Sequence, residues 1–151
     1  MRHNTNFNNI EDFARTFDVA PAWKDNHRVD VDILNLRLRL IEEEVLYELV
    51  PAVEKLQKSS TLENLVPVAD GIVDSVYVLL GLAVALDLPW DELWREVHNS
   101  NMAKIHADGT VHRREDGKIL KPDGWTPPDI YKILLAWQEA RVKKDQPGRG
   151  Y

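Results

Sequence analysis

Apolar side chains recur along this chain at spacings of three and four residues, the period of helices that bury one face. Ile10, Phe13, Ala14 and Phe17 predict a short first helix over about 9–17, stopped by Pro21, with the polar run 24–28 as a loop. Leu34, Leu38, Ile41, Val45, Leu49, Ala52 and Leu56 make one longer stripe. They predict a second helix from Asp30 or Asp32, either a good N-cap, to about Leu56. Pro51 falls inside it, removes one hydrogen bond, and is expected to kink the helix or split it. Thr61 caps a third helix running to about Leu86. From Ile72 onward that helix is apolar on nearly every side, as expected of the central helix of a bundle. Pro89 opens a fourth helix to about Lys104, and Pro127-Pro128-Asp129 a last one to about Lys143.

The segment 106–125 breaks this pattern. Asp108-Gly109, Asp116-Gly117 and Asp123-Gly124 are turn signals, and the arms 110–113 and 118–121 around the middle one predict a small β-hairpin. The tail from Asp145 onward is expected to fray. The fold class is therefore all-α: a bundle of about five helices with a small hairpin, in one domain over 1–151 whose core spans about 30–143.

Composition narrows the chemistry. A chain of 151 residues suits one domain with a core of its own. It has no cysteine, which excludes disulfides, thiolate metal sites and a cysteine nucleophile. The formal charge is −6, and no strong Lys/Arg cluster offers a nucleic-acid footprint. The polar N-terminus lacks the apolar core of a signal peptide. The longest apolar run, Val76 to Leu86, is well short of the roughly 20 residues that cross a bilayer. The expectation is a cytoplasmic protein with neither nucleic acid nor membrane as partner.

The candidate chemistry lies on the second and third helices. Glu44 and Glu48 border the buried stripe one turn apart, Glu42 lies on the opposite border, and Glu43 points away. Asp70 and Asp74 stand four apart on a helix that is otherwise apolar, where an unpaired carboxylate is costly. If the two helices pack antiparallel, Glu44, Glu48, Asp70 and Asp74 converge, and an all-oxygen set of that kind suits Mg²⁺ or Mn²⁺. The competing reading is a solvated acidic face in which Arg37 and Arg39 neutralise the glutamates. A second group, Asn99 to Lys104 with Arg113, Arg114, Lys118 and Lys121, places amides and cations on a turn-rich loop suited to polyphosphate oxygens. Its competing reading is a solvated basic loop.

The stretches LRLRLIEEEVLYEL, VADGIVDSVYVLLGLAVAL and EVHNSNMAKIHADGTVHRREDGKILKPDGWTPPDI resemble the all-α nucleoside triphosphate pyrophosphohydrolases of the MazG superfamily. The similarity covers about residues 30–130. It is greatest to the phosphoribosyl-ATP pyrophosphohydrolase-like and MazG-like dUTPase branch. The resemblance implies a Mg²⁺-dependent hydrolase that splits a nucleoside triphosphate, dUTP first among candidates, into monophosphate and pyrophosphate, and that works as a homodimer or higher oligomer. It implies metal ligation by Glu43, Glu44, Glu48, Asp70 and Asp74, with Glu44 or Glu48 as general base. Asn101, Lys104, Lys118 and Lys121 would contact the phosphates. One departure stands out: the family's Glu-Glu-x-x-Glu spacing, counted from Glu43, lands on Tyr47, and the acid is at Glu48. Two alternatives remain open, phosphoribosyl-ATP hydrolysis and a non-catalytic helical module that binds a nucleotide or a partner.

Overall fold

The computed structural model describes residues 5–25 and 27–144. The tail from Asp145 onward lies outside them. The chain divides into two compact units at the Leu88–Pro89 junction. Among the described residues there are five helical rods and no β-strand.

In the first unit, α1 (Asn6–Thr16) begins three residues before the periodicity suggests. Thr5 and Asn8 form a reciprocal capping box, with asparagine standing where glutamate or glutamine is usual. The second rod is continuous from Val31 to Lys58 and is made of three parts: α2 (Val31–Ile41), a π-helical segment (Glu42–Leu49) and α3 (Val50–Lys58). Asp30 caps it, accepting from the amides of Asp32 and Ile33. The rod is not split at Pro51. The π segment ends with the Val50 amide bonded to the Val45 carbonyl, and Pro51 follows at the start of α3, where its missing N–H fits the widened hydrogen-bond pattern.

The fourth helix, α4 (Leu62–Ala85), follows the sequence closely. Thr61 caps it, accepting from the Asn64 backbone amide, and the Asn64 side-chain Nδ2 donates to the Ser59 carbonyl at 2.8 Å. It is long and apolar enough to cross a membrane by length and composition, although its uninterrupted apolar run is not. It packs against α1, α2, the π segment and α3. Its buried face runs through Asn64, Val68, Gly71, Ser75, Leu80 and Ala83. The expectation of burial all round fails: Val66, Ile72, Val73 and Val76 are exposed. Leu38, placed in the buried stripe of the second rod by spacing, is also exposed, whereas Ala52 is buried.

The loop after α1 closes this unit. The buried Ala22 donates its amide to the Ala85 carbonyl at 2.7 Å, and the Trp23 indole N–H donates to the Leu86 carbonyl at 2.8 Å. Asp87, just past α4, has φ of +52°, a left-handed stop to the helix.

The second unit holds α5 (Trp90–Met102) and α6 (Ile130–Lys144), which pack together. The segment between them keeps its three turns, with Gly109, Gly117 and Gly124 all at positive φ. The expected hairpin is reduced to a single antiparallel bridge between Arg113 and Ile119. Two exposed arms, whose Val111, Ile119 and Leu120 stay exposed, do not make a stable ladder without a third strand.

Candidate active site

The seam between the second rod and α4 carries the acidic residues. Two glycines on α4 mark where the rods meet, and Gly71 lets them approach closely. A Cβ on Gly71 would lie 3.2 Å from the Cα and Cβ of Leu49, and one on Gly81 would lie 3.4 Å from Nη1 of Arg37. Leu49 thus faces Gly71 and Arg37 faces Gly81, so the rods are antiparallel and the residues between these two contacts oppose one another.

Glu44 and Asp74, both half-buried, fall between those contacts. The Glu44 carboxyl is raised above the ordinary glutamate value by partial burial and by the negative charges of Glu48, Asp74, Glu43 and Asp70. That identifies Glu44 as the point where the acids of both rods meet. Glu43, Glu48 and Asp70 are exposed at its margin.

The π segment bears on Glu48. A π turn takes about 4.4 residues instead of about 3.6, so a step of four there leaves a side chain close to where a step of three leaves it in an α-helix. Glu48 therefore stands near the α-helical i+3 direction from Glu44. Tyr47, which strict spacing would select, is 72% exposed.

Neutralisation of the glutamates by arginine does not occur. Among the described residues neither Arg37 nor Arg39 forms an ion pair with them. Arg37 turns instead into an apolar cavity between α1, α2 and α4. Nor do the acids already close on one point: among the described residues no three acidic or histidine side chains are set to chelate an ion. Their chemistry nonetheless fits a divalent cation. The donors are all oxygen, they repel one another, and among the described residues no ion pair offsets them.

The predicted phosphate group lies in the second unit and is partly assembled. Lys104 Nζ donates to Asn101 Oδ1 at 2.7 Å. Lys121 Nζ lies 3.9 Å from the centre of the Trp125 ring, and Lys104 Nζ lies 5.9 Å from it. The Trp125 indole N–H is anchored to the Ser100 carbonyl at 2.8 Å. Asn101, Lys104 and Lys121 are thus gathered around one aromatic ring. Lys118 is exposed in the neighbouring turn, where its backbone amide bonds Asp116, and it takes no part in that cluster. Trp125 as the organiser, and Arg37 as a cavity residue, are the two features that spacing did not reveal. The only hint of the second was a glycine seven residues beyond Asp74.

A family model described as phosphoribosyl-ATP pyrophosphohydrolase matches residues 10–101, more than half of the chain and the whole of the acidic seam. No curated protein matches.

Proposed function

From the premise that this chain belongs to the phosphoribosyl-ATP pyrophosphohydrolase family, and so is an all-α pyrophosphohydrolase of the MazG-like superfamily, we propose that it cleaves a nucleotide between its α- and β-phosphates with the help of Mg²⁺ or Mn²⁺. One observation carries this reading: partial burial, and then four carboxylates from two antiparallel rods, raise the proton affinity of Glu44, and among the described residues no ion pair offsets it. Glu43, Glu44, Glu48, Asp70 and Asp74 would hold the metal, Glu48 taking the family's third glutamate position through the π turn. When bound, the ion supplies charge neutralisation for the polyphosphate and a more acidic water. Glu44, with its raised proton affinity, is suited to take the proton of the attacking water, with Glu48 as the alternative base. Asn101, Lys104, Lys118 and Lys121 would bind phosphate oxygens.

Two substrates define the choice. The resemblance noted in the sequence favours dUTP, and the description of the matching family favours phosphoribosyl-ATP. Pyrophosphate release from both, and from a panel of nucleoside triphosphates, is measured with and without Mg²⁺ or Mn²⁺. The expected result is metal-dependent release that falls by at least about a hundredfold in Glu44→Gln and Asp74→Asn, the scale of a general base and of a metal site. Full turnover in either variant overturns the assignment. A non-catalytic module would release no pyrophosphate from any of these nucleotides.

A further inference from the structure

Arg37 sits in a cavity that the chemistry above leaves unused. The cavity has a volume of about 260 Å³, and Phe13, Leu40, Tyr77, Val78 and Val84 form much of its wall. It is almost wholly apolar. The Phe13 and Tyr77 rings meet edge to face at 5.6 Å, and both remain part-exposed, so the cavity is open at that side. Into it projects one guanidinium. Its Nε is buried and has no hydrogen-bond partner, and among the described residues Arg37 makes no ion pair. Its Nη1 lies against α4 beside Gly81, 3.4 Å from where a Cβ would stand. A buried, unsatisfied donor of this strength is costly, and a ligand that accepts from it recovers that cost.

The cavity's position suggests what the ligand is. Arg37 precedes Glu44 by two turns of the same rod, and Gly81 follows Asp74 by two turns of α4. The cavity and the acids therefore lie along one seam, about 10 Å apart by helical rise. A nucleotide whose α-phosphate is at the acids reaches back about that far with its base. The volume is below the ~300–1,000 Å³ of sites for drug-sized ligands, enough for a ring system and too little for the whole nucleotide. The apolar, aromatic wall suits a flat ring and not a polyphosphate.

We propose that this cavity is the base pocket, and that Arg37 selects a base presenting a carbonyl oxygen over one presenting an amino group at the same edge. The proposal rests on the pyrophosphohydrolase reading and deepens it. Arg37 offers donors only. A carbonyl accepts from it, whereas an amino group would face donor against donor and leave both unpaired. That is the situation in which a built site discriminates strongly between near-isosteres.

The test compares pairs that differ in one oxygen-for-amino exchange, dUTP against dCTP and dITP against dATP, by kcat/KM for pyrophosphate release with Mg²⁺. The carbonyl member is expected to win by at least about tenfold in each pair. Arg37→Met is expected to bring the ratio close to one, and Arg37→Lys, which keeps the charge and loses the fork, to lower it in part. Equal rates in wild type, a preference for the amino member, or a ratio untouched by both variants overturns the proposal. If the variants do not fold, the wild-type ratios decide. If no nucleotide is cleaved at all, the hydrolase reading has failed, and thermal shift with uridine against cytidine tests the cavity alone. A shift with uridine only supports it; equal shifts or none overturn it.

Discussion

At the scale of single residues, Glu44 stands apart because it binds its proton more tightly in the folded protein than an ordinary glutamate does, chiefly through partial burial and then through the neighbouring acids. A group of this kind makes the folded state the better proton binder, so stability falls as pH rises through its titration. The loss begins near the ordinary value of 4.5 and is complete above the raised folded value. Glu44→Gln is therefore expected to raise the Tm of the metal-free protein at neutral pH and to leave it nearly unchanged below about pH 4. Thermal unfolding at the two pH values checks this. Mg²⁺ bound at the proposed site would relieve the same repulsion, so it is expected to raise the wild-type Tm more than that of the variant.

At the scale of elements, the π segment bears directly on the site. Such a segment amounts to one extra residue taken up in a helix while the flanks keep their faces. Removing Leu46, which is half-exposed, would allow an ordinary α turn and leave the run Glu43-Glu44-Val45-Tyr47-Glu48, the strict Glu-Glu-x-x-Glu spacing. The deletion is expected to preserve helix content and metal-dependent turnover. Removing Leu38 from the regular part of the rod would instead turn Arg37 by about 100° out of its cavity. Circular dichroism and pyrophosphate release distinguish the two deletions.

Much at this scale was legible in the sequence. The Thr61 cap, the Pro89 start and the acids on two neighbouring helices follow from local chemistry and a 3.6-residue period. The π segment was not legible, because its residues are ordinary helix formers and only the backbone hydrogen bonds reveal the wider turn. For the same reason Pro51 does not split the rod: the residue breaks a regular helix, and the helix before it is not regular. Asn101, Lys104 and Lys121 were found by type, but their gathering around Trp125 depends on how the turns fold back. The placing of Arg37 beside Gly81 is a contact between distant residues, which leaves no periodic trace.

At the scale of the whole molecule, α4 presents a broad apolar surface. Val66, Ile72, Val73 and Val76 are 60%, 50%, 63% and 41% exposed, a row that a soluble monomer rarely leaves bare. We propose that a second copy covers it, in line with the homodimer or higher oligomer that the family resemblance implies. Val73→Glu would bury a charge at that contact, and sedimentation is expected to show the wild type as a dimer and the variant as a monomer.

The two rods carry both ends of the proposed groove, a lone guanidinium at one end and the carboxylates at the other. Because both anchors belong to the same pair of rigid helices, their separation is fixed by the peptide rise and not by a mobile loop. Such a groove acts as a gauge: it measures a substrate from ring to phosphorus, and whatever docks its ring correctly brings the same anhydride bond to the acids each time.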